Sequence, residues 1–174
     1  ETGVDVKTIQ SWIGILENSF IIYLLKPHHK NFNKTIVKRP KVYFYDSALV
    51  CYLLGIKNVS QIKTHPLRGS IFEGMVVTEL IKKRTNAGLP INIYYWRDKT
   101  GHEIDVIVDN GGKLLPIEIK SGKTLNSEFF KNIEYWSKLS GTEKSVLLYG
   151  GDQNQKRTTG KEILNWRNLI SKDF

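Results

Sequence analysis

One stretch of the sequence, residues 104–122, restricts the possible folds more than any other. Two apolar runs rich in β-branched residues, 104–108 and 114–119, flank a turn segment that contains Asn110, Gly111 and Gly112. Apolar runs on either side of such a turn are typical of a β-hairpin, because Asn and Gly readily adopt the positive φ angles that tight hairpin turns require. The sequence therefore predicts two adjacent antiparallel strands.

The register of this hairpin decides which polar side chains meet. With a turn at the two glycines, Asp105 lies directly opposite Glu118. With a turn one residue earlier, Glu118 faces Glu103, which shares a strand face with Asp105 because side chains alternate. Either register places Asp105 and Glu118 on one face, and Lys120 follows two residues later on that face. A slip of one residue would separate the two carboxylates.

Two carboxylates and an ammonium group on an apolar hairpin require an explanation. Directly opposed like charges destabilise a sheet by a few tenths to about 1 kcal/mol. A divalent cation would convert that repulsion into binding, because Mg²⁺ takes one or two carboxylates together with waters and phosphate oxygens. Lys120 would then orient or deprotonate a water, or neutralise charge on a phosphate. An exposed salt-bridged face, with Lys120 paired to Glu118 or Asp105, explains the same pattern, and the spacing alone does not separate the two.

The order of Asp105 and then Glu118-x-Lys120 on consecutive strands resembles the active-site motif of the PD-(D/E)XK nuclease superfamily. Further segments of the sequence make this resemblance more specific. They resemble the C-terminal domain, of unknown function, of bacterial and archaeal AAA+ ATPases. These segments are 41–46 (KVYFYD), 72–80 (FEGMVVTEL), 95–97 (YWR), 103–105 (EID) and 116–122 (PIEIKSG). The resemblance therefore covers nearly the whole chain.

This resemblance implies a restriction-endonuclease-like fold and a site for Mg²⁺ or Mn²⁺. The metal ligands that it implies are Asp105, Glu118 and the backbone carbonyl of Ile119, with Lys120 positioning the water and Glu73 assisting from the first turn of a helix. The implied substrate is a nucleic-acid phosphodiester, with DNA as the expected partner. The residues themselves offer Glu73 another role, because the segment 70–73 has the form of a capping box.

Composition excludes several other classes of protein. The chain has 174 residues, 40% of them hydrophobic and 25% charged, which suits one domain with a small appendage. No apolar run approaches the ~20 residues that span a bilayer, and no signal peptide opens the sequence, so no membrane association is expected. A single cysteine, Cys51, excludes an internal disulfide and a cysteine-rich zinc site. A reducing cytoplasm is the expected location.

The start of the sequence predicts a fragment of a longer protein. It begins Glu1-Thr2-Gly3, and its one methionine is Met75. The family resemblance places an ATPase domain upstream, as a covalent partner. Residues 122–124 imitate the end of a Walker A loop, but Ile117 stands where that loop requires glycine, so no ATP hydrolysis is expected of this chain.

A basic loop is the candidate contact for nucleic acid. The net charge is +9 with a pI near 9.5, which favours polyanionic partners only weakly. Residues 26–41 carry many cations and no acid. A solvated loop without a ligand accounts for the same composition. The candidate phosphate contacts within it are Lys30, Lys34, Lys38 and Arg39.

The remaining patterns predict two segments, 1–66 and 67–174. In the first, Asp5 caps a helix that ends near residue 18, and strands follow at 20–25 and 42–45. This order resembles the back half of a winged helix, whose helix is either a recognition helix or a brace against the upstream ATPase. A short helix at 47–54 ends at Gly55, and a polar connection follows.

The second segment is predicted to be an αβββαβ core with a mixed sheet. A helix from residue 69 buries an apolar stripe, and strand 91–96 precedes the hairpin. Helix 126–139 then crosses over to a parallel strand at 145–149, and a terminal helix covers 161–170. The stripe consists of Val76, Val77, Leu80 and Ile81. Besides a nuclease, a non-catalytic docking or regulatory module and a DNA-binding segment are compatible with this organisation.

Overall fold

The computed structural model describes residues 3–30, 32, 35–169 and 171–172. The helices are α1 Val6–Asn18, α2 Ser47–Leu53, α3 Val59–Thr64, α4 Arg68–Asn86 and α5 Lys131–Ser140. The strands are β1 Ile22–Leu25, β2 Lys41–Phe44, β3 Ile93–Arg97, β4 Glu103–Asn110, β5 Lys113–Lys120, β6 Ser145–Tyr149, β7 Gln155–Lys156 and β8 Lys161–Asn165. Short 3-10 helices cover Ser127–Phe130 and Trp166–Leu169.

A mixed six-stranded sheet in the order β3-β4-β5-β6-β8-β7 forms the centre of the fold. The pairs β3–β4, β4–β5 and β7–β8 are antiparallel, whereas the pairs β5–β6 and β6–β8 are parallel. The strands β1 and β2 form a separate antiparallel pair. The predicted α/β class with a mixed sheet is confirmed. The finer assignments, a restriction-endonuclease-like core and a winged-helix-like segment, stay predictions.

The β4–β5 hairpin has the first of the two registers that the sequence allowed. Asn110 pairs with Lys113, so the two residues between them form the turn. Gly111 and Gly112 have φ angles of 66° and 90°, which a side chain with a Cβ atom rarely adopts. The two glycines therefore fix the register.

The crossover to β6 follows the prediction, but the end of the chain does not. Helix α5 connects β5 to β6, and the two strands are parallel. The predicted terminal helix at 161–170 is wrong: β8 pairs with β6 along five residues, and a 3-10 helix at 166–169 follows it. Without β8, one edge of β6 would leave its backbone hydrogen-bonding groups unpaired.

Helices cover both faces of the sheet. Helix α4 buries the predicted stripe of Val76, Val77, Leu80 and Ile81 against one face, where Ile117 and Ile119 belong to the same apolar cluster. The opposite face packs against α5 and the 3-10 helix before it. Its clusters contain Trp96, Ile104, Ile107 and Trp136, and next to them Phe130, Ile133, Leu147, Tyr149 and Ile163.

The start of α4 differs from the predicted capping box. The helix begins at Arg68, and its N-cap Leu67 makes no side-chain hydrogen bond. The turn before it is held by His65 instead, whose Nδ1 accepts from the Leu67 amide at 3.1 Å. Ser70 is consequently the third helical residue rather than the cap. The capping role considered for Glu73 is wrong.

The N-terminal segment contains the predicted elements and packs against the sheet. Asp5 caps α1, since its Oδ1 accepts from the Lys7 amide at 2.8 Å. Leu25 of β1 and Tyr43 of β2 belong to the same apolar cluster as the buried face of α4. The connection 56–66 contains α3. The division into 1–66 and 67–174 stays a prediction. No helix of the described residues is long and apolar enough to cross a membrane.

Candidate functional site

A β-bulge positions Asp105. The register between β3 and β4 shifts between Tyr94 and Trp96, so that β4 carries one extra residue beside Tyr95. On one side of this shift Ile104 packs toward α5, and on the other Val106 packs toward α4. Asp105 occupies the position where the alternation changes. Bulges commonly redirect a side chain in this way beside functional sites.

The Asp105 carboxylate lies between β4 and β5. The hairpin ladder ends at Val106 and Ile117, and the same register places Asp105 across from Glu118. In place of the next ladder bond, Asp105 Oδ2 accepts a hydrogen bond from the Ile119 amide at 2.8 Å. The side chain is therefore held near the plane of the sheet, at the end where the two strands separate.

Glu118 and Lys120 approach this carboxylate from the α5 side. Glu118 alternates with Ile117 and Ile119, which face α4, so its side chain points the other way. The Lys120 ammonium donates to Glu118 Oε1 at 2.6 Å and lies 3.9 Å from Asp105 Oδ2. Asp105 therefore interacts with Lys120 and Glu118 in this region. The predicted common face for Asp105 and Glu118 stays a prediction.

A second group of polar side chains meets Asp105 from the α4 side. Glu73 Oε1 accepts from Lys41 Nζ at 2.9 Å and also from the Tyr43 hydroxyl. The same ammonium pairs with Glu103, which lies 3.5 Å from Arg97 Nε. One carboxylate oxygen from each of Glu73, Glu103 and Asp105 lies within 4.8 Å of the other two. We call these three acids, together with Glu118, Lys41 and Lys120, the acidic cluster.

The acidic cluster carries excess negative charge in a buried place. Asp105 is 8% exposed and Glu118 is 2% exposed. Burial, with Glu118 and Glu73 adding to it, raises the pKa of Asp105 well above its usual range. Burial also raises the pKa of Glu118, although Lys120 and Asn132 oppose that rise. When all four carboxylates are ionised they outnumber the two ammonium groups, and Arg97 at the rim adds one further positive charge.

The two lysines remain charged in this environment. Burial by itself lowers the pKa of Lys120. The negative charges of Asp105 and Glu118 raise it by more, so that the pKa lies above its usual value. The same balance raises the pKa of Lys41, where Glu73 is the main opposing group. Each ammonium group bridges two carboxylates. Both lysines therefore act as fixed positive charges at neutral pH.

The donor set suits a hard divalent cation. Glu118 Oε2 is buried and accepts no well-formed hydrogen bond from the described residues, so this oxygen is available to a ligand. The Ile119 amide faces β4, and the carbonyl of a strand residue points to the same side as its amide. Its oxygen therefore faces the gap beside Asp105. Carboxylate and carbonyl oxygens at such a gap are the ligands that Mg²⁺ and Mn²⁺ prefer.

The basic loop borders the acidic cluster along the edge strand β3. Its backbone is held by the Val37 amide, which donates to the Arg97 carbonyl at 2.8 Å, and by Trp96 Nε1, which donates to the Lys30 carbonyl at 3.2 Å. Tyr95 donates its hydroxyl to the Arg39 carbonyl. The side chains of Lys30, Lys38 and Arg39 are exposed, whereas Lys34 lies outside the described residues.

Lys41 and Tyr43 were not predicted as site residues from the sequence. The family-like segment 41–46 contains both, and they alternate on β2 with the residues that face away from α4. Glu103 was not identified as a site residue either, and its side chain is only 21% exposed and paired with Lys41. The sequence did contain a signal for Lys41 and Tyr43: they are two residues apart in a strand, so their side chains lie on the same face.

The site-bearing part of the chain matches a known family. The family described as a domain of unknown function (DUF4143) matches residues 68–169, and another domain of unknown function (DUF8612) matches residues 1–60. Uncharacterized proteins from Mycobacterium bovis and Mycobacterium tuberculosis are each 29% identical to this chain over 117 residues, or 67% of its length. The aligned region is 26% of each relative, so the chain spans about a quarter of their length.

Proposed function

We propose, since this chain belongs to the DUF4143 family, that it is a divalent-metal-dependent nuclease-like domain acting on nucleic-acid phosphodiesters. The observation that carries the proposal is the position of Asp105, shared between two groups of carboxylates at the open end of β4 and β5. A buried cluster with net negative charge and a free Glu118 oxygen is suited to a cation. The resemblance to PD-(D/E)XK nucleases supports the same assignment, because the order of Asp105, Glu118 and Lys120 resembles the active-site motif of that superfamily.

In this proposal Asp105, Glu118 and the Ile119 carbonyl hold Mg²⁺ or Mn²⁺, and Glu73 and Glu103 face it from the α4 side. When bound, the cation would supply Lewis-acid stabilisation of charge on a phosphate oxygen. Lys120 donates hydrogen bonds in the same place and orients the attacking water. Lys41 and Tyr43 both donate to Glu73 Oε1 and so hold this carboxylate beside Asp105. All these residues lie on regular elements, which favours a fixed geometry.

Metal binding predicts a stabilisation that requires Glu118. A ligand at a hundredfold excess over its Kd stabilises the folded state by about 2.7 kcal/mol, which is roughly 5–10 °C in melting temperature for a chain of this size. We expect MgCl₂ or MnCl₂ to produce such a rise in the wild type and none in Glu118→Gln. Glu128→Gln is the matched control, because Glu128 is an exposed acid paired with Lys131.

The same measurement in EDTA tests the charge argument. Asp105→Asn removes a negative charge that lies close to Glu118 and Glu73, and the amide oxygen still accepts from the Ile119 amide. We expect this variant to melt about 2–4 °C above the wild type in EDTA, the shift caused by ~1 kcal/mol, and to show no rise with MgCl₂. A wild type that responds to metal no more than Glu118→Gln contradicts the proposed site. Manganese density beside Asp105 in soaked crystals tests it directly.

The basic loop is proposed to hold the nucleic-acid backbone beside the acidic cluster. Replacing Lys30, Lys34, Lys38 and Arg39 by Ala should flatten the dependence of log K on log salt by roughly 0.7–0.9 for each phosphate that is no longer neutralised. The measurement is oligonucleotide binding by fluorescence anisotropy at several salt concentrations. A control variant replaces four other exposed lysines by Ala: Lys57, Lys63, Lys82 and Lys138. Equal slopes for both variants would show that the loop has another role.

A non-catalytic interaction module is the second candidate function. The specific observation in its favour is α1, which buries none of its residues. Trp12 and Ile15 on this helix are 54% and 59% exposed, and Phe20 just after it is 75% exposed. Apolar side chains grouped in this way commonly mark a binding surface. In this alternative, α1 braces the chain against an upstream ATPase domain instead of entering a DNA groove.

A further inference from the structure

A cavity at the opposite end of the sheet from the acidic cluster is lined by lysines. It has a volume of about 450 Å³ and lies where β5, β6 and β8 begin. We call it the lysine pocket, and its cations are Lys113, Lys144, Lys156 and Lys172. The strand β5 runs from this pocket to Lys120, and its eight residues span roughly 20–25 Å. The two sites are therefore separate.

The charge of the lysine pocket is largely uncompensated. Lys172 pairs with Glu162 at 2.6 Å, and Glu162 is the one acid among the described residues of the lining. Within the described part of the chain, the other three lysines make no ion pair. Lys113, Lys144 and Lys156 are exposed and line one concave surface, so their charges add to a positive potential there. An anionic group is the ligand that such a potential attracts.

The walls of the lysine pocket add an apolar surface and an unused hydroxyl group. Leu114, Leu115 and Val146 supply the apolar part. Ser145 also lines the pocket, is 2% exposed, and has a hydroxyl without a hydrogen-bond partner among the described residues. A buried hydroxyl usually has a partner. Rotation about χ1 would let Ser145 donate to a ligand in the pocket.

We propose that the lysine pocket binds a small phosphorylated organic molecule of about the size of a nucleotide. Lys113, Lys144 and Lys156 hold the phosphate oxygens, and the apolar wall takes the uncharged part of the ligand. The concave shape and the volume favour a small molecule over a nucleic-acid strand, which needs an open groove to enter and leave. This inference does not depend on the nuclease proposal, because the two sites share no residue.

Binding of ADP, measured by isothermal titration calorimetry in EDTA, tests this inference. EDTA removes divalent cations, so that the acidic cluster cannot bind the phosphates through a metal. ADP is expected to bind the wild type saturably, and adenosine and pyrophosphate to bind more weakly, since each lacks one half of the recognised chemistry. Lys113→Gln with Lys144→Gln should weaken ADP binding about tenfold or more, the effect of losing charge-assisted hydrogen bonds.

The matched control is Lys63→Gln with Lys99→Gln, which removes the same charge from exposed positions outside the pocket. This control should bind ADP as the wild type does. No saturable binding of ADP by the wild type overturns the inference. Equal weakening in the two double variants overturns it as well, because net charge would then explain the binding. A single-stranded oligonucleotide that needs Lys113 and Lys144 while ADP does not bind would assign the pocket to nucleic acid instead.

Discussion

Lys120→Met is expected to reduce metal-dependent cleavage of plasmid DNA by at least about 100-fold, the usual loss when one preorganised donor to a transition state is removed. The same variant should keep the rise in melting temperature with MgCl₂. Lys120 contributes no ligand oxygen, and its ammonium lies 2.6 Å from Glu118 Oε1 and 3.9 Å from Asp105 Oδ2. Removing a cation from this position lowers the repulsion felt by Mg²⁺. Binding and turnover therefore separate in this variant.

The matched control for this experiment is Lys131→Met. Lys131 also pairs with a glutamate at 2.6 Å, but its side chain is 69% exposed and lies outside the cluster. It should cleave DNA at the wild-type rate. Asp105→Asn should lose both cleavage and metal stabilisation, because it removes a ligand. Wild-type cleavage by Lys120→Met contradicts the assigned role. A wild type without cleavage or metal stabilisation makes the cluster a salt-bridge network and favours the interaction module.

Trp136→Ala is expected to destabilise the fold by about 3–5 kcal/mol, the range for large-to-small changes of buried aromatic residues. Trp136 is fully buried, and its ring centroid lies 5.1 Å from those of Trp96 and Phe32. Its Nε1 has no hydrogen-bond partner among the described residues, so the loss is one of packing. The expected fall in melting temperature is roughly 6–20 °C at 2–4 °C per kcal/mol.

Trp12→Ala provides the matched comparison, since Trp12 is 54% exposed on α1. We expect a loss below about 1 kcal/mol for this variant. Urea unfolding of both variants measures the difference, provided that the m-value stays constant. A loss below about 1 kcal/mol for Trp136→Ala as well would mean that the α5 face of the sheet is not a packed core.

The sequence alone was sufficient to predict those elements that depend on a single residue type or on an extended apolar pattern. The two glycines of the hairpin have backbone angles that other residues avoid, so they fix the register of β4 and β5. The stripe on α4 extends over more than one helical turn, and its spacing has no equivalent in a strand. Asp5 has the side chain that a helix N-terminus requires, and it accepts the expected amide hydrogen bonds.

The terminal strand and the bulge depend on partners that are distant in sequence. Residues 161–165 include only a short apolar run, Ile163 and Leu164, which suits a strand or a helix equally. The open edge of β6 decides between them. The bulge at Asp105 is set by the shifted pairing with β3, and no residue type marks it. For this reason the alternation along the hairpin predicted that Asp105, Glu118 and Lys120 are neighbours, but not that the Asp105 carboxylate also meets Glu73 and Glu103.

The packing of Leu25 and Tyr43 against the buried face of α4 has a consequence for how the chain unfolds. Two families match separate stretches of the sequence, but the stretches share one apolar core, and the loop before β2 covers the edge of β3 through Pro27 and Ile36. A single cooperative transition is therefore expected for both. A truncation that begins at residue 68 would expose the β3 edge to pairing with other chains and would leave Glu73 without its two donors.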